Sequence, residues 1–173
     1  MNTPAEPWYR HRFVRWMREF AIFAGIFLAV TAYQTRDLLD RGTPLPINSL
    51  PQLDGERVDF AAFKGKPTLL YFWAPWCSVC KTNAHNVQDV VDEDYNIASI
   101  ALSYEDLAQV RAFATQYNMP KPVLLGGREE STAFNISAFP TIYVLNREGE
   151  VAFATMGYTS ELGLRARLFA AGL

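Results

Sequence analysis

Cys77 and Cys80 are the only two cysteines in the chain, set two residues apart in the stretch Tyr71-Phe-Trp-Ala-Pro-Trp-Cys77-Ser-Val-Cys80. Two thiols at that spacing can exchange electrons with a disulfide. The run Thr68-Leu-Leu-Tyr-Phe-Trp73 just ahead of them reads as a buried strand, and the segment after Cys80 reads as a helix. Both thiols then fall near the first turn of that helix. Unpaired amides and the positive end of the helix dipole stabilise a thiolate there, and the thiolate is the nucleophile of disulfide exchange. Cys77 is expected to attack, and Cys80, one turn on along the same face, to resolve the mixed disulfide.

Other uses of the pair fit less well. Structural zinc takes about four ligands, and the chain has two histidines, His11 in a basic N-terminal segment and His85. On a continuous helix His85 stands about 12 Å along the axis from Cys77 and well round the cylinder. A disulfide across so short a loop stabilises little, so it makes a poor staple. Redox chemistry is the expectation, with strand, turn, Cys-x-x-Cys and helix in that order.

The rest of the chain must hold this pair in place. With 173 residues, 50% of them hydrophobic, and a net charge of −2, the chain is long enough for one globular domain plus an extra element. It lacks the basic excess of a nucleic-acid binder. The extra element comes first. Residues 1–19 carry Arg10, Arg12, Arg15 and Arg18 interleaved with Trp8, Tyr9, Phe13 and Trp16, and 20–35 carries no charged side chain. That run is slightly short of the ~20 apolar residues of a membrane helix, but snorkelling Arg18 and Arg36 extend it. It is read as a transmembrane anchor with a cytoplasmic N-terminus, by the positive-inside rule. A cleaved signal peptide ending near Val30-Thr31-Ala32 is the rival; the long flank and interfacial aromatics favour the anchor. The stretch 36–46, with Pro44 and Pro46, reads as a linker, and 47–173 as the domain.

Within the domain, 47–63 reads as a β-hairpin turning at Asp54-Gly55. The helix after the cysteines ends near Asp92-Glu93-Asp94, where negative charge opposes the dipole. A second buried strand follows over 96–102. Ser103 and Asp106 signal a helix start ahead of Leu107. A short extended piece at 123–125 and a brief helix around 130–134 come next. Strands at 141–145 and 150–155 close a hairpin across 146–149, and Thr159 is read as the cap of a last helix to Ala171. Strands alternating with helices make an α/β layer structure.

These residues carry a resemblance. Trp73-Ala-Pro-Trp-Cys77-x-x-Cys80-Lys81 is similar to the thioredoxin active-site motif, and Phe139-Pro140-Thr141 ahead of a strand resembles that family's cis-proline loop. The extra hairpin and N-terminal apolar segment resemble the TlpA/ResA-like branch of membrane-anchored, periplasm-facing thioredoxins. The stretch 157–168 is similar to the tail of the suppressor of copper sensitivity protein D (ScsD) group. The resemblance covers about residues 45–173 and implies a thioredoxin fold: a central mixed sheet flanked by helices, with the N-terminal hairpin and one transmembrane helix added. It further implies that Pro140 is cis and lies against Cys77, with the Phe139 backbone free to pair with an extended substrate, and that Trp76 and Pro75 form an apolar lip for docking.

The resemblance thus implies a protein-disulfide oxidoreductase in the bacterial inner membrane, its domain in the periplasm. It acts on protein thiols and disulfides, with no cofactor or metal beyond the Cys77–Cys80 disulfide, and draws electrons from a membrane reductant of the DsbD or ScsB kind. Departures exist too. Tyr71 stands where many thioredoxins have a buried Asp, and Asn83 where ResA-like proteins often have a Glu, so the proton acceptor for Cys80 is unassigned. Ser78-Val79 between the cysteines matches neither reducing thioredoxins nor strong oxidases. Direction stays open, with an oxidase running the same steps in reverse and a copper-binding module as alternatives.

Overall fold

The computed structural model describes residues 8–92 and 94–173, with side chains from residue 13 onward. The first seven residues of the expected N-terminal flank, the side chains of Trp8 to Arg12, and Glu93 of the acidic run lie outside the described residues. The chain divides into two compact units, 1–36 and 37–173.

The described part of the first unit is one helix, α1 (Trp8–Thr35, 28 residues). Its aromatic and aliphatic side chains, among them Phe20, Ile22, Phe23, Ile26 and Phe27, are exposed on every side rather than along one stripe. For the expected spanning segment this helix gives no confirmation. Among the described residues no helix is long and apolar enough to cross a membrane. Arg18 and Glu19 cut the uncharged run to 20–35, about 24 Å at 1.5 Å per residue against a hydrocarbon core of about 30 Å.

The second unit is built on a five-stranded sheet in the order β5-β4-β3-β6-β7. Its strands are β3 (Thr68–Trp73), β4 (Asn96–Ala101), β5 (Val123–Leu125), β6 (Thr141–Leu145) and β7 (Val151–Met156). β3 runs parallel to β4 and antiparallel to β6, and every one of its residues is buried. That explains its continuous apolar run: both faces are covered. Leu69, Tyr71 and Trp73 point to one side, where α2 (Ser78–Asp89), α3 (Leu107–Gln116) and α5 (Glu161–Ala171) supply Ala84, Val87, Val110, Phe113, Leu164 and Leu168. Leu70 and Phe72 point to the other, against Leu50, Phe60, Phe134, Tyr143 and Leu145.

That second side is closed by a small hairpin, β1 (Ser49–Pro51) with β2 (Arg57–Asp59), and by α4 (Arg128–Ala133). The hairpin turns through Gly55 at φ +98, a conformation glycine adopts without penalty. Its second strand stops at Asp59, whose carboxylate caps a 3-10 turn over Phe60–Phe63 and drops Phe60 into the core. The stretch 36–46, expected as a spacer, is part of the folded unit from Asp37 on. Leu38 is buried, and Gly42 and Thr43 exchange backbone hydrogen bonds with Val151. Two expected caps shift. Asp106, not Ser103, caps α3 by accepting from Gln109 N, and Ser160, not Thr159, caps α5 by accepting from Gly163 N.

Candidate active site

β3 delivers the chain to the cysteines. After Trp73 a tight turn, closed by Cys77 N–H donating to the Ala74 carbonyl (3.1 Å), leads into α2. Cys77 is the N-cap of that helix, and its sulfur takes the place of the usual oxygen by accepting the Cys80 N–H at 3.0 Å. The first turn of α2 contains no acidic residue, so nothing there opposes negative charge at this sulfur. Cys77 and Cys80 form a disulfide. Cys77 keeps 5% of its surface exposed and Cys80 none, so Cys77 is the sulfur an incoming thiol can reach.

Of the expected docking residues, Pro75 and Trp76 directly precede Cys77 in the chain, and Phe139 touches Trp76. Trp76 is 63% exposed yet fixed, because its indole N–H donates to the Ser103 carbonyl at 2.9 Å and its ring meets Phe139 edge-on at 5.6 Å. Pro75 is half-buried. The Phe139–Pro140 peptide is cis, as the resemblance implies. Pro140 is buried, the Pro140 carbonyl accepts from Gly157 N (2.8 Å), and Thr141 Oγ1 bonds back to the Ala138 carbonyl (2.8 Å). Trp76 and Phe139 are thus one aromatic rim that joins the cysteine turn to the proline loop. A cleft of about 470 Å³ lies beside Trp76, lined by Pro75, Lys81, Ser103 and Tyr117.

Behind the disulfide the site is polar without charge. Tyr71, fully buried on β3, donates its hydroxyl to the Cys80 carbonyl at 3.2 Å. Burial pushes its pKa well above the ordinary tyrosine value, the neighbouring Asn83 amide opposing this more weakly, so Tyr71 stays protonated throughout the physiological range. Asn83 is also fully buried, and its Oδ1 accepts the Thr159 N–H at 2.8 Å. Trp73 belongs to the core, stacked on Phe113 at 4.4 Å. His85 faces solvent beside Asp89, away from the cysteines. Among the described residues no group of three or more His, Cys, Asp or Glu side chains could hold a metal ion.

Sequence reasoning missed the Ser103 carbonyl and the Asn83–Thr159 bond. Ser103 sits at φ +51, and its role as acceptor for Trp76 depends on a backbone turn that no residue type there announces.

A helix-capping disulfide with one cysteine slightly exposed and the other fully buried is suited to passing electrons to or from another pair of sulfurs. On this sheet it defines a thiol-disulfide oxidoreductase with a thioredoxin-like fold. A family model described as AhpC/TSA family matches residues 42–154, and the chain belongs to that family. The thioredoxin-like protein YneN of Bacillus subtilis is 28% identical over 135 residues, 75% of this chain and 79% of that one. The thiol-disulfide oxidoreductase ResA of the same organism is 27% identical over 146 residues, 82% and 75% of the two chains. Among solved structures, a thiol:disulfide interchange protein of the thioredoxin family from Chlorobium tepidum superposes with a TM-score of 0.65 at 26% identity, over 77% of this chain and 98% of that one.

Proposed function

We propose that the chain is a membrane-tethered reductase or isomerase of protein disulfides that works outside the cytoplasm, close to the ScsD-like group of the ResA-like proteins. The observation that carries the reading is Cys77 at the N-cap of α2, its sulfur accepting the Cys80 N–H beside an exposed, fixed Trp76. In the reduced protein the same amide and dipole favour the Cys77 thiolate. That thiolate attacks one sulfur of a substrate disulfide, forming a mixed disulfide and expelling the other substrate sulfur as a thiolate. Cys80, once deprotonated, attacks the Cys77 sulfur, re-forms Cys77–Cys80 and releases the first substrate sulfur. Two electrons pass to the substrate. Trp76, Pro75, Phe139 and Pro140 hold the substrate segment during both steps.

In an oxidising compartment the disulfide must be reduced again, and a membrane dithiol reductant of the DsbD or ScsB kind fits that role. Tethering rests on α1. Its apolar residues face outward, and Thr31 and Thr35 satisfy their hydroxyls within the helix by donating to the carbonyls four residues back, Phe27 and Thr31. Arg18 and Arg36 at the two ends can reach the headgroups on either side of a thinned bilayer. In this reading 1–19 is cytoplasmic, 20–35 is the anchor, 36–46 leads out of it and 47–173 is periplasmic.

Acid quenching and thiol alkylation in cells, with and without the membrane reductant, tests the direction. A pair that is reduced in its presence and oxidised in its absence supports the reading. A pair oxidised in both states makes the protein an oxidase and sinks it. Copper binding is the weaker alternative, because Cys77 and Cys80 are bonded to one another and no third ligand group accompanies them among the described residues.

A further inference from the structure

The loop that carries Pro140 is tied to the cysteine helix by a relay of hydrogen bonds through 157–160. Gly157, at φ +83, donates its N–H to the Pro140 carbonyl at 2.8 Å. Two residues on, Thr159 commits both of its backbone groups to α2. Its N–H donates to Asn83 Oδ1 (2.8 Å), and its carbonyl accepts from Asn86 Nδ2 (3.0 Å). Asn83 and Asn86 are three apart and share a helix face, and Asn83 lies one turn beyond Cys80. The strap therefore runs from the helix that holds the disulfide to the Phe139–Pro140 loop.

Asn83 is an expensive residue at this position. It is fully buried, and its Nδ2 stands beside the Tyr71 hydroxyl without a partner in full hydrogen-bond geometry among the described residues. A buried amide with an unmet donor destabilises the fold, and an apolar side chain of the same size avoids that cost. What the carboxamide supplies in return is the bond to Thr159. Without it, the strap hangs from α2 by Asn86 alone.

We propose that Asn83, seconded by Asn86, is a positioning residue for disulfide exchange: through the 157–160 strap it holds the Phe139–Pro140 loop in register with the Cys77–Cys80 pair for a docked polypeptide. The inference rests on the docking role proposed above for that loop. Asn83 touches no reacting atom and acts through Thr159. A small disulfide needs only the Cys77 sulfur, whereas an extended polypeptide needs the loop as well, so the two kinds of substrate separate positioning from general damage.

The test compares second-order rate constants of the reduced full-length protein with insulin and with hydroxyethyl disulfide. Asn83→Leu keeps the branched four-atom skeleton and removes the bond. Its insulin-to-hydroxyethyl rate ratio is expected to fall about two- to tenfold, the worth of one neutral hydrogen bond. Asn83→Asp keeps an oxygen for the Thr159 N–H and retains the wild-type ratio. Asn86→Ala, at a half-buried position, lowers the ratio in the same direction and serves where Asn83→Leu does not fold. An unchanged ratio in Asn83→Leu and Asn86→Ala, or equal losses with both disulfides, overturns the proposal while leaving the docking role of the loop intact. A wild-type protein that reacts with hydroxyethyl disulfide and not with insulin removes the docking role and the proposal together.

Discussion

Tyr143 offers the sharpest quantitative test of the fold. It lies on β6, fully buried, and its hydroxyl donates to the Phe134 carbonyl at 2.7 Å while accepting the Leu39 N–H at 3.2 Å. That one oxygen joins the entry segment, the central sheet and the end of α4. Burial pushes its pKa up to about 12, with the Leu39 N–H as the smaller, opposing influence. In the unfolded chain a tyrosine ionises near 10. The folded value is the higher one, so the unfolded state loses its proton first. The contribution is intact below about pH 10 and is lost as pH rises from about 10 to about 12. At 1.36 kcal/mol per decade the loss is about 2–3 kcal/mol.

The perturbation is Tyr143→Phe, and the assay is urea unfolding followed by tryptophan fluorescence at pH 8, 10, 11 and 12. At pH 8 the variant is expected to be about 1–3 kcal/mol less stable, because it leaves a buried carbonyl and a buried N–H without their hydroxyl partner. Above pH 10 the wild type loses stability that a phenylalanine cannot lose, so the gap closes by about 2–3 kcal/mol. Tyr71, pushed up by burial as well, titrates in both proteins and cancels in the difference. Parallel stability curves from pH 8 to pH 12 refute the assignment of Tyr143 as a buried, neutral link.

Other expectations concern the site and the caps. Cys80→Ala is expected to hold a substrate as a disulfide-linked adduct through Cys77, seen as a higher band on non-reducing gels; Cys77→Ala gives none, since Cys80 is sealed. Trp76→Ala loses the Ser103 bond and the contact with Phe139, and its KM for insulin rises about threefold to tenfold with a smaller change in kcat. Asp106→Ala removes the cap of α3 and lowers stability by about 1 kcal/mol, read as a fall in Tm of about 3–6 °C, without loss of insulin reduction.

Much of this could be read in the chain because the signals are local. β3, β5 and β6 begin and end where the apolar runs do, each bounded by proline, glycine or a turn. A Cys-x-x-Cys pair between strand and helix carries its geometry with it, since the N-cap position, the shared face and the dipole follow from spacing alone. Helix starts were less secure for a physical reason. Ser103 and Asp106 stand three residues apart, and Thr159, read as a cap, stands directly before the actual cap Ser160; in both places the upstream residue has another task. Ser103 turns the backbone at positive φ and offers its carbonyl to Trp76, while Thr159 gives its N–H to Asn83.

The same contrast divides the site. The cysteines are set by neighbours in sequence, but what aims a substrate at them is set by bonds between residues far apart, 27 positions from Trp76 to Ser103 and 76 from Asn83 to Thr159. Tyr71 and Asn83 make the point most plainly. From sequence they are absences, places without the carboxylates that a resemblance leads one to expect. In the folded chain they are neutral groups in a buried space, one bonded to the Cys80 carbonyl and the other to the strap. Neither accepts a proton at neutral pH, since burial holds Tyr71 protonated and an amide has no proton site in that range. A Cys80 thiol beneath them therefore has to give up its proton on the side toward Cys77, where the mixed disulfide opens the site to solvent, and the rate of resolution should follow hydroxide rather than a second buried acid. Resolution rates that show an inflection from a carboxylate between pH 5 and pH 8 would contradict this account.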